Sequence, residues 1–449
     1  SPGYHLLTTR AADAVCGYLA GYKDPDGFIY KGYTTRFGRT LPGDDTRYDG
    51  LSVITQEMKT DFDRSREAVQ QLALPPSLLP SDLLLPKRTP KSRYYAVHDA
   101  NSHIWSATRS SSQPFCLFGM RHAVLGQGSG PDQVQAHLHA GGTDGHEHGD
   151  ALNLGLFALE EEVLSEGEYQ PVLSGPKGWN QTTASHNTVV IDEKNQNSRF
   201  ANRLALTLDD RVDGVGFYHY QDAGQGDSLN FGNIKQWDAT HPEVMVAEAE
   251  GRNSYYNTAA PASSPTRYSR TLMMVKNEGA DFYLVDIFRV KGGSTHDWML
   301  HGRLDDDYGF RSSLALSPLA GTQTRFGTAL TLHKRVVTAD TWWSEFQDAS
   351  GVSTRTWMLG APGTEVNIGR AGSMRTVNDA IFLDVRRTGG NNLFVAVHQP
   401  YRGTPSILKV TPLHYSGQAG SWVAFRVELA GGRTDYIAAS LDSAPYAAH

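Results

Sequence analysis

The feature that most constrains the fold of this chain is a succession of short runs rich in β-branched and aromatic residues, which begins after residue 93. Gly, Asn, Asp and Pro separate the runs, and no helical pattern of apolar residues lies between them. Many strands without intervening helices predict antiparallel sheets packed as a sandwich. The clearest runs cover residues 94–97, 188–192, 270–275, 282–288, 329–337, 354–359, 380–385, 393–398 and 422–429.

The first 92 residues show helical rather than strand-like patterns of apolar residues. Apolar residues follow helical spacing over residues 4–22 and again over residues 51–72. A proline-rich stretch comes next, and proline resists helix formation because it lacks a backbone donor. The sequence therefore predicts an α+β, mostly β protein. The predicted domains are residues 1–92, a helical part with its linker; 93–305, a central antiparallel β-sandwich; and 306–449, a C-terminal β-sheet domain.

Length and charge limit the classes of partner. With 449 residues, the chain exceeds the usual size of a single core. Its formal net charge is −7, which argues against nucleic acid as the main partner because phosphate binding favours a basic stripe. A local basic groove on an acidic protein can still bind an acidic polysaccharide. No apolar run approaches the roughly 18–20 residues that a membrane-spanning helix needs.

Proton-transfer and metal-ligand groups cluster between residues 146 and 186. In a strand, alternate side chains share a face, so His146, His148 and Asp150 are predicted to project together. Glu166 and His186 follow, each about one strand away. Two histidines and a carboxylate are a typical ligand set for zinc, although a pair of histidines in a Gly-rich loop is also common on protein surfaces.

Other polar groups around this cluster have predicted roles of their own. The amide or hydroxyl groups of Asn187, Thr182, Thr183 and Thr188 are of the kind that orient a metal-bound histidine. Three more histidines, His122, His137 and His139, precede the cluster in a stretch rich in Gly and Gln and are predicted to be solvent-exposed in a loop. His296 and His301 flank Trp298 in a strand-like run and are predicted to be packed and hydrogen-bonded.

The same residues carry a family resemblance. The pattern His-x-His-x-Asp, a hydrophobic strand that ends in an acidic residue, Trp179, and then TTASHNTVVIDEKNQ over residues 182–196 resembles the C-terminal domain of heparinase II/III-type polysaccharide lyases. Related alginate and oligoalginate lyases share this pattern. The resemblance is strongest over residues 137–196 and extends more loosely over 93–305. The implied fold is a β-sandwich preceded by an α/α toroid.

The resemblance also implies roles for individual residues. The opening segment, residues 1–5, is similar to the late toroid segment that carries the catalytic tyrosine, so most of a toroid would be missing from this chain or present on another polypeptide. Tyr4 would then donate a proton, and His146 would act as base or flank the substrate carboxylate. His148, Glu166 and His186 would hold a structural divalent metal, for which the ligand types favour zinc. The family usually has aspartate at the position of Glu166.

The implied activity is cleavage of a 1,4-linked uronate polysaccharide or oligosaccharide by β-elimination, in a secreted or periplasmic protein. Alginate-like substrates are slightly favoured over heparin-like ones, since sulfated chains usually require a dense basic cleft. Two alternatives stay open at this point. One is a zinc-dependent hydrolase that activates water, and the other is a non-catalytic carbohydrate-binding β-sandwich. A homodimer is also open.

Overall fold

The computed structural model shows a chain built mainly from antiparallel β-sheets. Among its first 109 residues it describes single positions and short pieces between 11 and 67, with helical backbone at Ala11 and Asp63, inside the two predicted helices, and a two-stranded sheet of β1 (Tyr33–Thr34) and β2 (Thr40–Leu41). Beyond these it describes residues 110–117, 121–140, 148–165, 179, 182–196, 232–255, 260–277, 281–303, 309–327, 329–347, 351–372, 379–418 and 422–440.

A five-stranded sheet is formed by strands that lie before and within the stretch of the predicted histidine cluster. Its strands, adjacent in chain order, are β3 (Phe115–Leu117), β4 (His122–Gln127), β5 (Val134–His139), β6 (Asn153–Ala158) and β7 (Glu161–Leu164). The β6–β7 hairpin turns through Leu159 and Glu160, whose φ angles of 54° and 63° are both left-handed. Two consecutive left-handed residues are typical of the tight turn that suits the twist of a hairpin.

Two larger sheets form the body of the molecule. The eight-stranded sheet has the spatial order β14 (Gly309–Ser312), β17 (Trp342–Gln347), β18 (Val352–Met358), β21 (Asn391–Arg402), β12 (Phe282–Lys291), β11 (Arg267–Lys276), β10 (Val244–Glu250) and β9 (Asn233–Asp238). The six-stranded sheet has the order β15 (Ser317–Arg325), β16 (Leu330–Thr338), β19 (Thr364–Gly372), β20 (Asp379–Thr388), β13 (Thr295–His301) and β8 (Val189–Ile191).

A three-stranded sheet completes the set, with β22 (Ile407–His414), β23 (Trp422–Leu429) and β24 (Thr434–Ser440) in chain order. Short 3₁₀ helices occupy Gly130–Asp132, Thr183–Ser185, Arg252–Tyr255 and Pro261–Ser263. The strand predictions from residue 188 onward are confirmed, since every one of those runs overlaps a strand. The run at 94–97 lies outside the described residues.

The sheets stack in layers around one main core. One face of the eight-stranded sheet packs against both the five- and six-stranded sheets, and Leu138, Trp298 and Phe394 are among the buried side chains between them. Its other face packs against the three-stranded sheet through residues such as Val395 and Phe425. Both large sheets take strands from either side of residue 305, so the sheets mark no boundary there.

The outer face of the six-stranded sheet carries a buried carboxyl pair. Asp297 accepts two hydrogen bonds from the Arg386 guanidinium, at 2.6 and 2.9 Å, while Asp384 contacts Arg325 Nε at 3.2 Å. Burial raises the pKa of Asp297 to about 7, and burial together with the neighbouring Asp297 carboxylate raises the pKa of Asp384 well above its usual range. The two carboxyls titrate as a pair, and because Asp297 accepts both Arg386 bonds, the last proton that the pair retains belongs on Asp384.

We expect the free energy of unfolding to fall as pH rises from about 4, the ordinary pKa of an aspartate, to about 7, the raised pKa in this pair, by on the order of a few kcal/mol. A carboxyl whose folded pKa is raised stabilises the fold fully below its unfolded pKa and loses that contribution as pH rises through the folded pKa. The Asp384→Asn variant keeps a hydrogen-bond donor without a charge, so its unfolding free energy should vary much less with pH. Urea denaturation across this pH range, with exposed Asp340→Asn as control, measures the difference; equal pH dependence in wild type and Asp384→Asn would contradict it.

Candidate functional site

Two histidines of the predicted cluster meet where the five- and six-stranded sheets join. His148 lies in an irregular segment just before β6, and His186 follows the Thr183–Ser185 3₁₀ helix just before β8. Both side chains are buried. Their ring centroids are 5.2 Å apart with the planes tilted by 42°. The predicted strand over residues 146–150 is wrong for the described part, because His148, Gly149 and Asp150 have no strand pairing.

The separation of these imidazoles suits a shared metal ion. A Zn–N bond of about 2.0–2.1 Å places a ring centroid about 3.2 Å from the metal, so two tetrahedral ligands would have centroids roughly 5.2 Å apart. His148 and His186 match that spacing. Glu166, the predicted third ligand, lies outside the described residues. Among the residues that the structure describes, no group of three or more His, Cys, Asp or Glu side chains is placed to hold a metal.

Asn187 joins the two sheets directly beside His186. Its side-chain amide donates to the carbonyl of Leu154 at 3.1 Å, and its side-chain oxygen accepts from the backbone N–H of His301 at 2.8 Å. Its own backbone N–H donates to the side chain of Asn153 at 2.9 Å. These bonds fix the backbone that carries His186 rather than its ring, so the predicted role of Asn187 in orienting the imidazole is replaced by one in positioning the segment.

A fully buried arginine clamps the same two segments from the eight-stranded sheet. Arg270, in β11, donates through Nη1 to the carbonyl of Leu152 at 2.7 Å and to the carbonyl of Asn187. The backbone of Leu152 has a left-handed φ of 64°, which costs free energy for a side chain with a Cβ. The guanidinium therefore holds the turn after His148 and the segment after His186 in one arrangement.

The charge of Arg270 is balanced inside the core. Its Nε and Nη2 donate to the two carboxylate oxygens of Asp286 at 2.8 and 2.7 Å, and His398 Nε2 lies 3.6 Å from the same carboxylate. Burial by itself would raise the pKa of Asp286, but Arg270 and His398 lower it to about 2. Burial lowers the pKa of His398, which favours its neutral form. A planar, two-bond ion pair is the arrangement that offsets the cost of burying both charges.

Gln196 and Tyr268 provide a second connection between the segments. Gln196 bonds both polar groups of the Ala151 backbone, at 2.8 and 3.0 Å, and donates to the Tyr268 hydroxyl at 3.1 Å. The Tyr268 hydroxyl donates to the carbonyl of Val189 at 2.6 Å. Burial raises the pKa of Tyr268 to about 12, so the phenol stays protonated as a donor. Thr188 also reaches Ala151, donating to its carbonyl at 3.1 Å.

The three histidines predicted to be exposed in a loop are instead on strands and in contact, and that prediction is wrong. His122 lies on β4, between His137 and His139 of β5, with ring nitrogens 2.9 and 3.2 Å apart. His122 and His137 are buried, and His139 is partly exposed. Nε2 of His139 lies 3.8 Å from the Asp150 carboxylate. Antiparallel pairing places these residues on adjacent strands, where period-two alternation gives them a common face.

A chain of hydrogen bonds sets which nitrogen of each ring carries the hydrogen. The carbonyl of Gly130 can only accept, so the side-chain nitrogen of Gln133 donates to it. The side-chain oxygen of Gln133 then accepts from the Ser112 hydroxyl, and that hydroxyl accepts from the side-chain nitrogen of Gln135. The side-chain oxygen of Gln135 then accepts from Nε2 of His137, 2.9 Å away. Following the donors along the three rings places the acceptor nitrogen Nε2 of His139 3.8 Å from the Asp150 carboxylate.

The structure describes some of the predicted site residues and not others. Tyr4, His146 and Glu166 lie outside the described residues. His148 and His186 are brought together, and His296 and His301 are buried and hydrogen-bonded as predicted. Sequence reasoning missed Arg270, Asp286, Gln196 and Tyr268. For Arg270 and Asp286 the available signal was charge inside runs that otherwise read as buried strands, in which a buried ion pair is the usual explanation.

A comparison with known families decides the classification. The model described as "Heparinase II/III-like, C-terminal" matches residues 135–407, more than half of the chain, and the match includes His148, His186 and Arg270. The chain belongs to the heparinase II/III-like family. The resemblance inferred from the motifs is thereby confirmed. No curated protein matches the chain.

Solved structures support the same fold for this heparinase II/III-like chain. It is similar to heparan sulfate lyase HepC from Pedobacter heparinus, with a TM-score of 0.58 at 11% identity over 99% of this chain and 59% of that chain. It is also similar to the heparinase III-BT4657 gene product, with a TM-score of 0.51 at 12% identity over 87% of this chain and 54% of that one. A structure of heparinase III gives 0.52 at 10% identity, over 87% and 56%. The chain thus spans between half and two thirds of the length of these structures.

Proposed function

We propose that this protein is a polysaccharide lyase that cleaves a 1,4-linked uronate chain by β-elimination. The observation that carries the proposal is the family match over residues 135–407, which contains the buried His148–His186 pair. Among the described residues, no helix has the length and apolar character needed to cross a membrane. We place the protein in a secreted or periplasmic setting, where such polymers occur.

The proposed reaction has a defined balance of bonds and protons. A base removes the proton on C5 of the uronate, and the electron pair of that C–H bond forms the C4–C5 double bond. The C4–O4 bond breaks, and the departing oxygen takes a proton from an acid. Tyr4 is the proposed acid. His146 is the proposed base or the group that neutralises the C5 carboxylate, two residues before His148 in the chain.

His148, Glu166 and His186 are the residues proposed to hold a divalent ion, most simply zinc. Bound there, the ion would supply a structural cross-link between the segment before β6 and the segment before β8. Those segments are already joined through Asn187, Gln196 and Arg270. The chain's own residues therefore position the backbone that follows His148, and the ion would fix the two imidazoles.

The substrate class follows from charge. The chain has 41 Lys and Arg against 48 Asp and Glu. A densely sulfated chain favours a cleft with many cations, whereas a polymer with one carboxylate per sugar needs fewer. An alginate-like uronate therefore fits this chain slightly better than a heparin-like one, and the two are compared directly in the assay below.

Substitution of the proposed acid and base tests their roles. We expect Tyr4→Phe and His146→Ala each to lower the rate of chain cleavage by about 10²–10⁴-fold, since proton transfer contributes that much to catalysis. The assay measures new reducing ends released from alginate oligouronates and from heparan sulfate by the full-length protein. Tyr33→Phe, in β1, is the matched control and should leave the rate unchanged. Wild-type rates in both variants, with the fold intact by circular dichroism, would contradict the assignment.

A further inference from the structure

The three-stranded sheet has one face in the core and one face exposed. On β23, Val423, Phe425, Val427 and Leu429 pack inward. Alternation along the strand therefore places Trp422, Ala424, Arg426 and Glu428 on the opposite face. Cross-strand pairing adds Tyr436 beside Arg426 and Ala438 beside Ala424 from β24, and His414 beside Ala424 and Lys409 beside Glu428 from β22. We call this set of residues the outer platform.

Exposed aromatic side chains concentrate on the outer platform. Trp422 is 48% exposed and Tyr436 is 70% exposed, and no other large aromatic residue in the described part of the chain is as open to solvent. His414 stacks on the Trp422 ring, with centroids 3.8 Å apart and planes within 3°. The stack orients the indole, because one ring face is covered by the imidazole. Large exposed aromatics gathered on one face mark interaction surfaces.

The surface between the two aromatics is shallow. Ala424 and Ala438 are cross-strand neighbours and have only methyl side chains, so they leave a shallow floor beside Trp422. Trp422 and Tyr436 are about 14 Å apart along the strand direction, from four residues at roughly 3.4 Å each. A single sugar ring is far shorter than this distance. An occupant that contacts both aromatics must therefore be a chain of sugars.

Charge on the platform favours an acidic chain. Arg426 and Glu428 form an ion pair at 3.0 Å and so offset each other. Lys409, on β22 opposite Glu428, is exposed and has no ion-pair partner among the described residues. The platform thus combines one net positive charge with aromatic faces that can pack against the C–H faces of sugar rings.

We propose that the outer platform is a binding site for an acidic polysaccharide chain, separate from the reaction centre. The acidic class of ligand rests on the proposed function, whereas the location rests on the residues of the platform alone. Such a site would hold a polymer on the enzyme between cleavage events. It would leave the turnover of short oligosaccharides unchanged, because they can occupy the reaction centre alone.

Affinity electrophoresis of the full-length protein tests this proposal. In gels that contain alginate or heparan sulfate, wild type should be retarded, and Trp422→Ala and Tyr436→Ala should each bind about 3- to 10-fold more weakly. Val337→Ala, an exposed side chain on the six-stranded sheet, is the matched control and should migrate like wild type. Lys409→Gln should weaken binding at low salt and reduce its salt dependence. A neutral glucan should cause much less retardation.

The results that would contradict the proposed binding site can be told apart. Unchanged retardation of both aromatic variants would overturn the proposal, and equal retardation by neutral glucan would overturn its acidic ligand. A change in sedimentation mass caused by Trp422→Ala would show that the face joins two copies of the chain, which also overturns it. Binding is read without turnover, so failure of the lyase reaction leaves this test intact. If the reaction holds, the variants should be slower on polymer and equal to wild type on short oligosaccharides.

Discussion

Replacement of Arg270 by methionine is expected to lower the free energy of unfolding by about 3–5 kcal/mol, the usual effect of removing one partner of a buried ion pair. The Asp286 carboxylate would stay in the core without its two guanidinium bonds. The carbonyls of Leu152 and Asn187 would lose their donor at the same time. Urea denaturation of wild type and variant measures this difference.

Two further variants separate the ion pair from the clamp. In Arg270→Met/Asp286→Leu, no unpaired charge is buried, so part of the lost stability should return. Arg335→Met removes a partly exposed guanidinium and should cost at most about 1 kcal/mol. If Arg270→Met unfolds at the same urea concentration as wild type, the clamp does not hold the site segments together.

Removal of His186 or His148 is the second large effect that we expect. Each His→Ala variant should bind zinc at least about 100-fold more weakly, because one of two converging imidazoles is lost from a site with few ligands. Metal content after dialysis against a defined zinc concentration measures this directly by elemental analysis. The thermal midpoint of wild type should rise with added zinc, whereas the midpoints of the two variants should not.

The control for the metal experiment is His241→Ala, an exposed histidine outside the pair. It should retain the zinc content and the thermal response of wild type. Wild type that carries no zinc after such dialysis, and whose melting is unaffected by zinc or by a chelator, would show that the paired imidazoles are structural contacts rather than ligands.

Local sequence patterns predicted much of the fold. Residues 422–429 alternate strictly between inward and outward positions, and they form β23 with one face in the core. His186 lies just before Val189–Ile191, which form the edge strand β8, so the same pattern predicted the strand and drew attention to the histidine proposed as a ligand. Period-two alternation and β-branched composition are local properties and can be read from one sequence.

Features that depend on pairing across the sheets were not predictable in the same way. His122, His137 and His139 look like loop residues in the sequence, yet antiparallel register between β4 and β5 brings their rings into contact. Arg270 and Asp286 lie in otherwise apolar runs, and only the packing of the eight-stranded sheet on the site segments gives them partners. Such contacts are set by tertiary packing, on which local spacing carries no information.

The most direct test of the lyase assignment compares two products of the same digestion. Full-length protein is incubated with alginate oligouronates and with heparan sulfate, and near-ultraviolet absorbance and reducing ends are measured together. β-Elimination predicts that absorbance from the conjugated double bond increases in proportion to the reducing ends, and that both increases are lost in His146→Ala. Reducing ends that increase without any absorbance would show hydrolysis and contradict the lyase account.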